Sequence, residues 1–269
     1  MTVGVFGLGR FGSFWSSLLS RRFAVQAYDI DPDRRAEVGV TRVSLEELCT
    51  CKTIFLCVSI RSMREVLRLI QGYLSAETLI IDTCSVKVYP GRWMLELLPP
   101  SVHILASHPM FGPESAKAGL DELPIMLDPI RLGEEQTRFW EETFASFGLS
   151  VVRMDCDRHD REAAYSQALT HFVGRSLHSL GLPETEIATR WYTKLHSVAK
   201  QCVRDSNELF QDMQCFNPYT ESMRSELLAS FAATRSDLDS CIKNMSLDVD
   251  SNTSLESKEL DITKRPEST

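Results

Sequence analysis

His108 is followed directly by Pro109, with Gly112 and Pro113 close behind. A residue that precedes proline is driven out of the helical region, and the glycine–proline pair then interrupts any regular element. Just upstream, residues 102–106 read as an apolar strand. The spacing therefore predicts a loop at the carboxyl end of a buried strand, which is where open α/β sheets bind ligands. Imidazole titrates near neutrality and accepts protons readily. The chemistry expected here is proton transfer by His108 beside a cofactor held elsewhere in the chain.

Other groups are placed to join it. Ser85 and Lys87 follow the apolar strand 78–82, and Glu114 lies in the stretch after His108. Gln167, His171 and Arg175 are spaced four apart, so they share one face of a helix. His159-Asp160 stands near the start of that helix. Each has a structural reading as well. Ser85 could cap a helix, Lys87 could be a solvated lysine, His171 a satisfied core histidine, and Arg175 a snorkelling side chain. His159-Asp160 could cap the helix N-terminus. Spacing alone leaves these alternatives open.

The cofactor is expected at the start of the chain. Residues 2–6 form a strand, Gly7-Leu8-Gly9-Arg10-Phe11-Gly12 a glycine turn, residues 13–21 a helix, and residues 24–28 a second strand ending at Asp29. Gly7 makes the tight turn, Gly9 lets backbone approach a pyrophosphate, and Gly12 lets the helix pack on the strand. The helix N-terminus offers free amides to the phosphates. Asp29 is placed to bond the adenosine ribose hydroxyls. The six loop residues, Asp29 and Ser59, which ends the apolar strand 53–59, form the expected cofactor-binding set. A carboxylate repels a 2′-phosphate, so NAD is favoured, while Arg34 and Arg35 keep NADP possible.

The elements that position these groups alternate strand and helix to about residue 153. The strands are 2–6, 24–28, 38–43, 53–59, 78–82, 102–106, 125–127 and 151–153. Helices are expected at 63–74, 93–98 and 134–147, and Ser44 with Glu47 has the capping-box pattern. This specifies an α/β, Rossmann-type, doubly wound parallel sheet. Beyond it the strand signals stop. Helices are expected at 159–180, 184–203, 206–216 and 220–244. The domains expected are therefore a dinucleotide-binding one over 1–153, a small all-helical substrate and dimerisation domain over 154–245, and a disordered tail over 246–269.

Bulk composition narrows the class. The chain has 269 residues, 43% hydrophobic and 25% charged, which is ordinary for a globular protein. A net charge of −8 argues against a nucleic-acid partner, which would show a basic face. No apolar run approaches the ~20 residues of a membrane span, and the N-terminus lacks a signal-peptide pattern. A cytoplasmic protein is expected. The eight cysteines lack paired zinc spacing, so no metal is expected, and the thiols are read as reduced and structural.

Three stretches, DTCSVK (82–87), HPMFGPES (108–115) and HDREAAYSQALTHFVGR (159–175), together resemble the prephenate and arogenate dehydrogenases. The resemblance runs from the glycine turn to about Asn217. It is closest to the plant-type arogenate branch, through GLPETEI (181–187) and DSNELF (205–210). It implies an NAD(P)-dependent oxidoreductase of tyrosine biosynthesis that oxidatively decarboxylates prephenate or arogenate to 4-hydroxyphenylpyruvate or tyrosine.

In that reading a neutral His108 accepts the proton of the ring hydroxyl. Ser85 holds the same hydroxyl or the nicotinamide, and Lys87 supplies a cation for the substrate or for the site's structure. His171 and Gln167 line the far side of the substrate, with Glu114 also assigned to substrate binding. Bacterial prephenate-specific members carry an arginine in the later helices for a substrate carboxylate. Here Lys200 or Gln201 falls near one such place and Tyr219 near another, making Lys200 and Arg204 the candidate replacements. Asp29 also departs from the plant branch, which tends toward NADP. A homodimer through the helical domain is expected. The alternatives are another Rossmann dehydrogenase acting on a β-hydroxy acid, and a non-catalytic dinucleotide sensor.

Overall fold

The structure, a computed structural model, describes residues 1–245; the tail expected at 246–269 lies outside the described residues. Strand β1 (Thr2–Phe6) runs through the glycine turn into α1 (Arg10–Leu19), and β2 (Ala24–Tyr28) follows. The short β3 (Val40–Arg42) precedes α2 (Leu45–Leu48). The capping box at the start of α2 is complete: Ser44 Oγ accepts the Glu47 N–H while the Glu47 carboxylate accepts the Ser44 N–H. Then come β4 (Thr53–Leu56), α3 (Met63–Ile70), β5 (Leu79–Asp82) and α4 (Val88–Leu97). β6 (His103–Pro109), β7 (Pro124–Arg131), α5 (Glu134–Ala145) and β8 (Ser150–Arg153) complete the alternation. Helix α4 starts earlier than the 93–98 expected. Pro90 falls in its first turn, where a missing N–H costs nothing.

The eight strands form one sheet in the order β3-β2-β1-β4-β5-β6-β7-β8. All neighbours are parallel except β6 and β7, which pair antiparallel. This corrects the all-parallel expectation. The connection between those strands holds only a short 3-10 turn (Ser115–Ala118), and a parallel return needs a longer crossover, usually helical. Strand β6 also extends further than the 102–106 expected, so His108 is not in a loop. It lies within the strand, opposite Met126 of β7.

Successive side chains of the central strands enter opposite cores. Ile54, Leu56, Ile80 and Ile104 pack on one face with Leu48, Met63, Leu67 and Met94. Phe55, Ile81 and Leu105 pack on the other with Trp15, Leu19, Trp140 and Phe144. Both faces are covered, which is why these strands are continuously apolar rather than alternating. Each such fully buried side chain contributes roughly 1.5–3 kcal/mol.

After β8 the chain is helical. α6 (Cys156–Ala163) is capped by Asp155, whose side chain accepts the Arg158 N–H. A wide π turn (Ala164–Ala168) joins it to α7 (Leu169–Leu180), so the single helix expected over 159–180 is two segments offset by that turn. α8 (Arg190–Cys202) starts later than expected, capped by Thr189. α9 (Asn207–Phe216), capped by Ser206, and α10 (Thr220–Asn244) follow.

Residues Met1–Arg224 form one compact unit, in which the sheet and α6 to α9 pack together. The described residues from Ser225 onward belong to a second unit. Its described part continues α10, with Leu228, Phe231, Leu238 and Ile242 exposed along it.

Candidate active site

The carboxyl ends of β5 and β6 are adjacent, Asp82 pairing with Ala106. There His108 is buried, 4% exposed, and its Nδ1 lies 2.8 Å from His159 Nε2. His159 Nδ1 is in turn 2.8 Å from Asp160 Oδ1. The Asp160 carboxylate also accepts the Lys87 N–H at 2.7 Å and the Val88 N–H at 2.8 Å. It thus caps the first turn of α4, which has no capping side chain of its own, and its charge sits at the positive end of that helix.

Asp160, with both oxygens already accepting backbone N–H groups, acts as the acceptor for His159 Nδ1 and so orders the tautomers along this chain. His159 carries its proton on Nδ1 and donates it to Asp160. Its bare Nε2 accepts from His108 Nδ1–H, leaving the lone pair of His108 on Nε2. Burial, then the neighbouring His159, then Lys87 hold the His108 imidazole well below the ordinary histidine range. His108 is therefore a neutral base with one defined acceptor atom.

Lys87 is fully buried and makes no contact with solvent. Its ammonium donates to the Asp82 carboxylate and, at 2.5 Å, to the Ser107 carbonyl. Asp82 also accepts the Ser107 N–H at 3.2 Å and the Cys84 N–H at 3.1 Å. Of the two roles expected for Lys87, these contacts support the structural one: the ammonium braces the strand end that carries His108. Ser85 does not cap a helix. Its Oγ is buried and has no hydrogen-bond partner, so the hydroxyl is free for a ligand. Burial pushes the neighbouring Cys84 thiol well above its ordinary value, with Asp82 adding to it, as expected of a packing thiol.

The glycine turn has the shape that a dinucleotide requires. Gly7 has φ +100°, and a Cβ there would meet the Cys57 carbonyl oxygen at 2.4 Å. A Cβ on Gly12 would meet the Gly7 carbonyl oxygen at 1.9 Å. Gly9 faces open space, and the N-terminus of α1 has neither a capping side chain nor an acid in its first turn. Its amides and partial positive charge are uncompensated, which fits a pyrophosphate. The Leu8 side chain is buried in the core and that of Phe11 packs against it, so what these two residues can offer a dinucleotide is backbone. Asp29 accepts the Leu8 N–H at 2.6 Å and the Asp31 N–H at 2.9 Å, one on each oxygen, leaving further lone pairs for ribose hydroxyls. Ser59 lies three residues beyond the end of β4, which stops at Leu56 rather than at residue 59 as expected, and its Oγ is 2.9 Å from Ser62 Oγ.

The helical region meets this loop through charges. Arg10 pairs with Glu114 at 3.3 Å and with Asp205 at 3.5 Å. Asp205 also lies 3.8 Å from His171 Nε2. Glu114 is further held by Lys117 at 2.8 Å. Burial lowers the His171 pKa, against the opposing pull of Asp205. His171 Nδ1 and Arg175 Nε are buried without partners. With Ser85 Oγ, they are orphaned polar atoms of the kind that a bound ligand completes. A second connection joins Arg61, after β4, to the buried Asp212 of α9 at 2.5 Å.

Residues 20–130 match the nucleotide-binding domain of prephenate dehydrogenase, and residues 176–248 match the TYRAAT1-like C-terminal domain. Arogenate dehydrogenase 2, chloroplastic, of Arabidopsis thaliana is 32% identical over 254 residues, covering 88% of this chain and 70% of that protein. This chain belongs to the prephenate and arogenate dehydrogenase family. Arogenate dehydrogenase 1, chloroplastic, of the same plant is 34% identical over 88% of this chain, which spans only 39% of that longer protein.

Solved structures of the family share the fold. Arogenate dehydrogenase of Synechocystis superposes with a TM-score of 0.64 at 22% identity, covering 91% of this chain and 92% of its own. Prephenate dehydrogenase of A. aeolicus, in complex with hydroxyphenyl propionate and NAD+, gives 0.69 at 17% identity, covering 91% and 94%. At these identities the likeness is one of architecture.

The expected substrate residues of the later helices lie at the surface. Lys200 is exposed and paired with Glu184 at 2.7 Å, and Arg204 is exposed. Gln167 is half-buried on the π turn. The groups that sequence reasoning undervalued are Asp82, His159 and Asp160. Adjacent His and Asp at a helix start, and an acid ending an apolar strand, were the available signals. Their partners come from strands and helices far away in sequence. A hollow of about 140 Å³ borders His159 on the side of Met110, Met126 and Met154. Neither Ser85 nor the glycine turn lines it.

Proposed function

We propose that this chain catalyses the NAD-dependent oxidative decarboxylation of prephenate or arogenate, with NADP as a weaker alternative. The observation that carries the reading is the Asp160–His159–His108 chain, which leaves a neutral, unprotonated His108 Nε2 at the end of β6. The dinucleotide, held by Gly7 to Gly12 and Asp29, supplies a hydride acceptor when bound. His108 Nε2 takes the proton of the substrate hydroxyl as its carbon becomes a carbonyl. The ring carboxylate leaves as carbon dioxide, and its bonding pair aromatises the ring. Ser85 Oγ orients the hydroxyl or the nicotinamide, while Lys87 acts at one remove by bracing Asp82 and Ser107. His171 and Gln167, with Glu114 at the rim, line the substrate's far side. The Asp29 carboxylate supports the preference for NAD, and Arg34 is already paired with Asp31 at 3.4 Å.

The assembly we propose is a homodimer through α10. No helix among the described residues is long and apolar enough to cross a membrane. The eight cysteines are free thiols, which supports a reducing compartment such as the cytoplasm.

The test is turnover with both substrates and both dinucleotides, read by the absorbance of reduced nicotinamide. The wild type should oxidise at least one pair. His108→Asn should lower kcat by roughly 10²–10⁴ with dinucleotide affinity retained. Full activity in that variant sinks the assigned base, and no turnover by a wild type that binds dinucleotide sinks the reaction.

A further inference from the structure

The π turn between α6 and α7 changes which histidines share a face. His159 and His171 are twelve residues apart. On a continuous α-helix they would point about 120° apart. A turn that absorbs one extra residue removes roughly 100° of rotation and leaves them about 20° apart. The turn is real in its bonding: the Leu169 N–H reaches back to the Ala164 carbonyl. A π turn is a strained register, common at functional sites, and something outside the helix must hold it.

We propose that Gln214 is that holder, and thereby a positioning residue for the substrate face of α7. The inference rests on the substrate placement given above. Gln214, on α9, is 8% exposed. Its Nε2 donates to the carbonyl of Ala168, the last residue of the π turn, at 2.8 Å. Its Oε1 accepts from Arg224 Nη1 at 2.7 Å, so the amide is held at both ends and its orientation is set. The Gln214 backbone is fastened too, its carbonyl accepting the Thr220 hydroxyl at 2.7 Å. Beneath it Ala164, Ala168 and Met223 are buried against one another. Asn217, at the end of the same helix, donates to the Asp160 carbonyl at 2.8 Å. The segment before the turn is therefore anchored independently of Gln214, which controls only what comes after it.

That separation makes the proposal testable. Gln214→Met keeps length and burial but removes both hydrogen-bonding groups, and Gln214→Glu keeps the acceptor for Arg224 while losing the donor to Ala168. In each, KM for the cyclohexadiene substrate should rise about tenfold. KM for the dinucleotide and the acid limb of the kcat–pH profile should stay unchanged. Imidazole NMR should show the His171 resonance moving while those of His108 and His159 hold. Arg224→Met, which releases Gln214 from outside the helix contact, should reproduce the pattern and carries the test if a Gln214 variant fails to fold. An unchanged substrate KM with an unmoved His171 resonance overturns the proposal. So does a change that moves all three histidines, because that is general loosening. The resonances decide the point even if neither substrate is turned over, so failure of the reaction and failure of this inference are distinguishable.

Discussion

At the scale of single residues, the site depends on a histidine kept neutral. Burial is the leading cause, with His159 and Lys87 adding to it, and His108 is thereby held well below its ordinary value of 6.5. The consequence has a definite sign. In the unfolded chain this imidazole binds a proton as pH falls through about 6.5, whereas the folded protein resists protonation to lower pH. Its contribution to stability is complete above 6.5 and is lost as pH falls toward the folded value. The acid limb of kcat/KM should therefore lie below 6.5. Melting temperature should fall on acidification more steeply in the wild type than in His108→Asn. Equal slopes in a pH series of thermal melts would show that His108 titrates normally. The type of residue and its strand-end location were legible in the sequence. Its partner was not, because His159 lies 51 residues away and only packing of α6 on the sheet brings it within a hydrogen bond.

At the scale of elements, the Lys87–Asp82 pair ties the start of α4 to the ends of β5 and β6. Both side chains are fully buried. A buried pair adds little net stability against an apolar substitute, but removing one partner strands the other. Lys87→Met should therefore cost roughly 3–5 kcal/mol, measured by urea unfolding. Asp82→Leu combined with Lys87→Met should recover a substantial part of the loss. Additive losses would mean that the two side chains act separately. Apolar periodicity and the capping box located most strands and helices. It misplaced the start of α4, which begins at Val88 rather than Trp93, and it missed the π turn, whose residues Ala-Tyr-Ser-Gln-Ala are compatible with ordinary helix. A side chain from α9 decides that register.

At the scale of the molecule, α10 and the residue that follows it present Leu228, Phe231, Leu238, Ile242 and Met245 to solvent, from 56% to 63% exposed. Their spacing of three, seven, four and three residues is an a/d seam, with Arg235 at an intervening core position. A polar residue there sets register at some cost in stability. In the proposed dimer this seam meets its copy. Leu238→Glu should convert the dimer to a monomer in sedimentation velocity, and a wild type that sediments as a monomer removes the proposal.

Sequence alone determined the α/β alternation, the glycine turn with its acid, and the family, because these are written in local periodicity and in short motifs with fixed spacing. Tertiary structure decided the antiparallel β7, the burial of Lys87 against Asp82, and the Asp160–His159–His108 chain that selects one nitrogen as the base. The physical reason is that burial and hydrogen-bond partnership are properties of contacts between distant segments. His108 became a base with a defined tautomer only when α6 was laid across the end of β6.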